Sequence, residues 1–206
     1  MPRQKTIIRD ISWLSFNSRV LQEAADDTVP LRERIRFLGI FSNNLDEFFR
    51  VRVATLNRMI ALGKKGKMHL EINPQLILEE IQDKVLAQQK EFERIWNEIL
   101  RELKKQKIFL LTEKKLNRLQ QKFVLDYFNE EIRSNIVPLM MESIPAFPTL
   151  SDKSIYLACT LSKKDKSIAK KFALVSVPTR RLPRFLILPS KQNEKHIILL
   201  EDVIRF

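Results

Sequence analysis

The chain has 206 residues, of which 44% are hydrophobic and 30% charged, a composition that excludes a disordered protein. Lys and Arg number 37 against 25 Asp and Glu, and the net charge of +12 favours an anionic partner without identifying it. The single cysteine excludes an internal disulfide, and no segment approaches the roughly 18 apolar residues of a membrane span, so a cytoplasmic protein is expected.

Three amphipathic helices are predicted in the first half of the chain. The first covers 11–25, with Asp10 or Ser12 as its N-cap. The second covers 30–62, opens on a proline and ends at the basic loop GKKGK. The third follows the capping pair Asn-Pro and covers about 74–106. Because each helix has one apolar face, we expect the three to pack as a helical bundle.

The sequence pattern changes after residue 106. A further helix is predicted over 113–135, and four segments read as strands: SIYLACTLS, KFALVSVP, RFLILP and KHIILLEDVIRF, the first two joined by the charged turn KKDKS. We therefore predict an α+β fold with a helical N-terminal domain at 1–106 and a second domain at 107–206. Because the final residues form an apolar run, that domain is expected to continue beyond Phe206.

No constellation of residues predicts a catalytic centre in this segment. His69 and His196 are far apart and have no second ligand at metal spacing, so solvated or packing roles are expected and no metal site is predicted. Cys159 lies in an alternating strand and is interpreted as a buried structural thiol. The loop RRLPR at 180–184 is either simply solvated or a polyanion contact.

The second helix contains four residues that disfavour helix, Gly39, Ser42, Asn43 and Asn44, which together cost about 2 kcal/mol or more relative to alanine. Asn44 also falls in a row of large apolar side chains beside the predicted core row. That core row comprises Leu31, Ile35, Leu38, Leu45, Phe49 and Leu56, with Ser42 as its small member.

An amide in an apolar row must be hydrogen-bonded or reach a ligand, because leaving it bare costs about 1–3 kcal/mol. Two interpretations of Asn44 follow. It ties one helix to another, or it contacts a ligand such as adenine, whose edge matches the adjacent donor and acceptor of the amide.

The segments ISWLSFNSRVLQEA and PLRERIRFLGIFSNNLDEFFRVRVATL closely resemble the N-terminal region of the type 1 polyphosphate kinases, and a looser similarity extends over the rest of the chain. The resemblance implies a four-domain enzyme: a helical N-terminal domain, an α+β head domain that is only partly present, and two C-terminal phospholipase-D-like domains. It implies reversible transfer of the terminal phosphate of ATP to inorganic polyphosphate through a phosphohistidine, with Mg²⁺. The nucleophile and the metal site would lie in the C-terminal domains.

The resemblance also implies a role for the segment SNN, whose second Asn, Asn44, would contact the adenine of ATP. Gly39, Ser42 and Asn43 would then keep the helix face small and polar where the base and a neighbouring domain approach. No other residue of this chain is expected to bind the nucleotide or a metal.

The partners implied by the resemblance are ATP or ADP and polyphosphate, with a dimer or tetramer of the full-length protein and no nucleic acid. Peripheral membrane association is an alternative to a purely cytoplasmic location, and the isolated segment is expected to be inactive.

Two other hypotheses for the function stay open: a non-catalytic basic helical adaptor that binds polyanions or partner proteins, and a structural module that mainly dimerises the enzyme.

Overall fold

The structure, a computed structural model, describes residues 8–62, 73–162 and 170–206. The chain divides into two compact units, the first ending at Glu102 and the second beginning at Leu103. The loop GKKGK, the turn KKDKS and His69 lie outside the described residues. The described part of the first unit is helical and that of the second combines sheets with helices, so the predicted α+β fold class is confirmed.

The described part of the first unit is built on α1 (Arg9–Ala25), α2 (Leu31–Phe48), α3 (Ala54–Ala61) and α4 (Pro74–Lys105). A π-helical turn over Phe49–Val53 joins α2 to α3, and the backbone keeps right-handed helical angles at both junctions. The long second helix predicted from the sequence is therefore confirmed as continuous, with a π-helical turn that the sequence pattern does not reveal.

The predicted N-cap of α1 is wrong. Neither Asp10 nor Ser12 caps the helix, because Ile8 occupies the cap position and makes no side-chain hydrogen bond there. Asp10 is instead buried and accepts a hydrogen bond from Arg52, which lies in the π-helical turn. A partner 42 positions away in the chain cannot be read from a local capping pattern.

The predicted starts of α2 and α4 are close to those observed. Pro30 occupies the cap position of α2 rather than its first helical position, and its carbonyl accepts a hydrogen bond from the Arg34 N–H at 3.1 Å. Asn73 caps α4 as predicted, since its Oδ1 accepts a hydrogen bond from the Gln75 N–H at 3.2 Å.

The core of the first unit confirms the predicted helical bundle, because α1, the continuous second helix and α4 all contribute to it. Its buried members are Ile11, Leu14, Phe48, Val53, Leu56, Ile77, Ile81 and Val85. The core row predicted for the second helix is wrong in part: Ile35 and Phe49 are 37% and 39% exposed, whereas Phe41 and Phe48 are buried. The π-helical turn contains one residue more than a turn of α-helix. The next buried residue after Phe48 is therefore Val53, five positions later, whereas a regular 3.6-residue period places it three or four positions later.

The first sheet of the second unit has β6 (Lys195–Leu199) at its centre. The strand β1 (Ile108–Leu111) runs parallel to β6, and β5 (Phe185–Leu188) runs antiparallel to it. The strand predicted for KHIILLEDVIRF is correct only in its first half, because β6 ends at Leu199 and a short helix, α6 (Leu200–Arg205), follows. The first turn of α6 contains two buried acidic residues, Glu201 and Asp202.

The second sheet is antiparallel, with β4 (Lys171–Ser176) between β2 (Leu139–Met140) and β3 (Tyr156–Leu161). The strands predicted for SIYLACTLS, KFALVSVP and RFLILP correspond to β3, β4 and β5 and are confirmed. The register places Tyr156 opposite Ser176, at the end of the sheet where β3 begins and β4 ends.

The helix predicted after QKIFLLT is interrupted near its start. A buried, extended Leu116 separates an initial 3₁₀ turn from α5 (Arg118–Tyr127). Asn117 caps α5 in a reciprocal arrangement, in which its side chain accepts from the Gln120 N–H and the Gln120 side chain accepts from the Asn117 N–H. Short turns cover Glu113–Lys115, Phe128–Ile132, Arg133–Asn135 and Met141–Ser143.

The core of the second unit packs α5 and α6 with the strands of the first sheet. Its buried members are Leu116, Val124, Ile132, Val177, Leu186, Leu188, Ile198, Leu200 and Val203. Across the residues that the structure describes, no helix is long and apolar enough to cross a bilayer.

Candidate functional site

The side chain of Asn44 is half-buried on α2 and bonded to α1. Its Nδ2 donates a hydrogen bond to Oδ1 of Asn17 at 3.0 Å. Asn17 is fully buried, and its own Nδ2 donates to the carbonyl of Phe41 at 3.3 Å. These two amides, which we call the amide pair, tie α1 to α2, as one of the two sequence interpretations of Asn44 predicts.

The buried end of the amide pair fixes the orientation of both side chains. A carbonyl only accepts hydrogen bonds, so Phe41 requires Nδ2 of Asn17, and Oδ1 of Asn17 in turn requires Nδ2 of Asn44. Oδ1 of Asn44 has no hydrogen-bond partner among the described residues, and neither has its second N–H. The amide therefore keeps one acceptor and one N–H donor unpaired among those residues while its other N–H ties α2 to α1.

A groove of about 230 Å³ opens one helical turn after Asn44. Glu47 and Phe48, three and four residues after Asn44 on the same helix face, form one wall. Trp13 of α1 forms part of the groove and stacks on Phe48, with ring centroids 4.7 Å apart and planes inclined by 13°. Asn44 is not part of the groove lining, and because Phe48 is buried, the aromatic surface that the groove offers comes mainly from the half-buried Trp13.

The charged side chains around this groove are largely paired with one another. Arg52 donates to Oδ1 of Asp10 at 2.7 Å, and this hydrogen bond raises the pKa of the guanidinium. Arg50 lies 2.7 Å from a carboxylate oxygen of Asp46 and 3.3 Å from one of Glu47. Because the acidic residues are neutralised in this way, the groove carries little net negative charge against a nucleotide.

Two family models account for almost the whole chain. The polyphosphate kinase N-terminal domain matches residues 6–111, and the polyphosphate kinase middle domain matches residues 119–206. The chain belongs to the polyphosphate kinase family.

Individual polyphosphate kinases resemble the chain over nearly its full length. The polyphosphate kinase of Vibrio parahaemolyticus is 44% identical over 204 residues, covering 97% of this chain and 28% of that protein. That of Escherichia coli K12 is 39% identical over 210 residues, covering 100% of this chain and 30% of that protein. The crystal structure of polyphosphate kinase from Porphyromonas gingivalis matches with a TM-score of 0.83 and 36% identity, covering 96% of this chain and 29% of that one. The chain therefore spans less than a third of these polyphosphate kinases.

The predicted basic loop of this polyphosphate kinase chain is divided by the fold. Arg184 lies 2.7 Å from a carboxylate oxygen of Glu201, and this contact raises the pKa of Arg184. Arg180 and Arg181 instead line a separate cavity in the second unit. The loop is thus not one uniform basic surface.

His196 has a packing role, one of the two roles that the sequence leaves open for it. Its Nδ1 lies 2.8 Å from Nε2 of the buried Gln120, and its Nε2 lies 3.0 Å from a carboxylate oxygen of Glu194. Its ring also meets Phe109 edge to face, with centroids 5.0 Å apart. Cys159 is half-buried rather than fully buried and lies on β3, an edge strand of its sheet.

The sequence interpretation missed Asn17 and Gln120 as structural polar residues. Asn17 lies three residues after Leu14 and four before Leu21, inside the buried stripe of α1. This is the same signal that singled out Asn44, an amide at an apolar position of a helix. Applied to α1, it would have identified the second member of the amide pair.

The similarity to polyphosphate kinases implies Mg²⁺ as a metal of the full-length proteins. Among the described residues of this chain, no group of three or more His, Cys, Asp or Glu side chains is arranged to hold a metal ion. The residues at 8–62, 73–162 and 170–206 therefore provide no cluster of three or more such ligands for Mg²⁺.

Proposed function

We propose that this chain is the N-terminal region of an ATP:polyphosphate phosphotransferase that reversibly transfers the terminal phosphate of ATP to long-chain inorganic polyphosphate. Residues 1–106 form its helical N-terminal domain, and 107–206 form the first part of its head domain. The phosphohistidine and the Mg²⁺ site belong to C-terminal domains outside this chain. Family membership supports this proposal, and the net charge of +12 suits a protein that handles a polyanion.

Within this reaction we propose that Asn44 binds the adenine of ATP. The supporting observation is the amide pair, which locks the orientation of Asn44 and leaves its Oδ1 and one N–H unpaired among the described residues. Adenine offers an exocyclic amino group as donor beside a ring nitrogen as acceptor, and an Asn amide meets both at once. The half-buried Trp13, which stacks on the buried Phe48, provides apolar surface for the purine ring in the groove one helical turn after Asn44.

A base contact far from the reacting phosphates contributes by positioning. Phosphoryl transfer needs its reactants aligned and its charge neutralised rather than much covalent chemistry from the protein. A domain that holds the adenine therefore helps orient the phosphates toward groups supplied elsewhere. Such a contact is present equally in the ground state and the transition state, so its loss raises KM for ATP and leaves kcat nearly unchanged.

The test measures polyphosphate synthesis by the full-length enzyme with ATP and with GTP. Asn44→Ala is expected to raise KM for ATP about tenfold, the equivalent of one good hydrogen bond. Guanine reverses the donor and acceptor on the same edge, and the amide pair prevents Asn44 from turning over to follow it. The variant should therefore lose much of the preference for ATP over GTP, whereas the control Asn57→Ala, which removes an exposed amide of α3 outside the groove, should keep it.

Equal losses with both nucleotides would refute the base contact and leave Asn44 as a structural residue only.

We further propose that the full-length protein is a cytoplasmic dimer or tetramer, and that residues 1–206 alone do not catalyse polyphosphate synthesis. Polyphosphate synthesis by the isolated segment would contradict this division of labour.

A further inference from the structure

A second cavity, of about 220 Å³, lies within the second unit where β3 begins and β4 ends. Five side chains with hydroxyl groups line it: Ser151, Ser154, Tyr156, Ser176 and Thr179. No aspartate or glutamate is among the described residues that line it. A wall rich in hydroxyl donors without carboxylates does not suit a metal cation, which requires anionic or carbonyl oxygen ligands.

Two arginines complete the lining of this cavity. Arg181 donates to Oδ1 of Asn135 at a long 3.4 Å, and Arg180 is exposed beside the cavity. Neither forms an ion pair with a carboxylate among the described residues. Arg184 of the same loop, by contrast, is paired with Glu201. Two exposed arginines without an acidic partner among the described residues therefore belong to the lining of one polar cavity.

Backbone hydrogen bonds hold the arginines in this place. The Val177 N–H donates to the Ile155 carbonyl at 2.9 Å and extends the pairing of β3 with β4. The Pro178 carbonyl then accepts from the N–H groups of Arg181 and Leu182, each at 3.0 Å, so the chain turns tightly after β4. The loop is positioned by the sheet and is a fixed part of the cavity wall.

Tyr156 lies among hydrogen-bond donors at the edge of this cavity. Its phenolic oxygen accepts a hydrogen bond from the Ser151 N–H at 3.0 Å. That backbone bond, with the hydroxyls of Ser151 and Ser154 and the charge of Arg180, lowers the pKa of Tyr156. Groups that stabilise a phenolate by donating to it also stabilise the oxygens of a bound oxyanion.

We propose that this cavity binds a phosphoryl oxyanion, either inorganic phosphate or one residue of a polyphosphate chain. The two guanidinium groups provide forked donors that match tetrahedral phosphate oxygens, and the surrounding hydroxyls donate to the remaining oxygens. The polyphosphate form of this inference rests on the proposed function, whereas phosphate binding by the chain does not.

The test is calorimetric titration of the 206-residue chain with inorganic phosphate and, separately, with a polyphosphate of defined length. Arg180→Ala and Arg181→Ala are each expected to weaken binding of both anions about tenfold, as for loss of a charged hydrogen bond. Arg118→Ala removes an exposed arginine of the same unit outside this cavity and should change affinity less than twofold. Arg180→Lys keeps the positive charge but loses the paired N–H donors of the guanidinium group, so it should weaken binding less than Arg180→Ala does.

The two anions separate the two possible occupants. If polyphosphate binds more tightly per phosphate than inorganic phosphate and this binding depends on both arginines, the polymer is the occupant of the cavity. If the affinities per phosphate are equal, inorganic phosphate is the occupant. Equal loss in the Arg118→Ala control and the cavity variants would overturn the site and leave only general attraction to a basic protein.

The same measurements distinguish this inference from the proposed function. Normal polyphosphate synthesis by the full-length enzyme, with anion binding to the chain unaffected by the arginine variants, would refute the site alone. Arginine-dependent phosphate binding in a full-length protein that makes no polyphosphate would refute the proposed function alone.

Discussion

Replacing Asn17 with alanine tests the amide pair directly. The side chain is fully buried, donates to Phe41 at 3.3 Å and accepts from Asn44 at 3.0 Å. Two lost hydrogen bonds contribute about 1 kcal/mol each, and the space left by the amide adds about 1 kcal/mol. We therefore expect Asn17→Ala to lower the free energy of unfolding of the first unit by about 3 kcal/mol.

The bond between the two amides is isolated by a double-mutant cycle. Asn44 is only half-buried, so in Asn44→Ala water can partly replace the hydrogen bond that Asn17 loses. The variant should therefore lower the free energy of unfolding by about 1 kcal/mol. In the double variant the shared bond is lost only once, and the combined cost should fall short of the sum by about 1 kcal/mol. The exposed Asn43→Ala serves as control and should change stability by less than about 0.5 kcal/mol.

Tryptophan fluorescence during urea unfolding is the suitable assay. The chain has 2 tryptophans, Trp13 and Trp96, and both lie in the first unit, so their emission reports that unit and not the second. Costs that add to within about 0.3 kcal/mol would show that the amides are not bonded to each other. A cost below about 1 kcal/mol for Asn17→Ala would show that its amide is hydrated rather than buried.

Three further predictions concern other positions. Gly39→Ala should raise the stability of the first unit by about 0.5–1 kcal/mol in urea unfolding, because alanine favours helix and a Cβ there meets nothing within 4 Å. Gln120→Leu should lower the stability of the second unit by about 2–3 kcal/mol, measured by far-ultraviolet circular dichroism, because the Pro189 carbonyl and His196 Nδ1 lose their buried donor. Burial raises the pKa of Asp202, so its ionised form is disfavoured in the folded chain. Asp202→Asn should therefore stabilise the second unit at neutral pH, and thermal melts should show the gain vanish as the pH falls below the ordinary pKa of 3.8.

Each of these predictions has an outcome that contradicts it. A less stable Gly39 variant would mean that another segment packs against that face of α2. Unchanged unfolding of the Gln120 variant would mean that water satisfies the two acceptors. A gain in the Asp202 variant that persists in acid would mean that burial of charge is not its cause.

The helices and most strands were predictable because their signals are local. Apolar residues recur at helical spacing along α4, and Asn73 with Pro74 marks its start within two residues of sequence. The strand patterns of β3, β4 and β5 are likewise bounded by polar or proline residues. The pattern that singled out Asn44 was also local, since an amide in a row of phenylalanines is visible within one helix.

The tertiary structure decided which groups of these residues remain available to a ligand. Asn17 lies 27 positions from Asn44, and only their contact fixes which atoms of the Asn44 amide are left unpaired. Asp10 and Arg52 lie 42 positions apart, and a π-helical turn brings Arg52 to Asp10 while moving Val53 into the core. The sequence alone determined the elements and the family resemblance, because periodicity and motifs are properties of neighbouring residues. Hydrogen bonds between distant segments determined the orientation of the site, because each of them depends on a partner that the chain supplies only after folding.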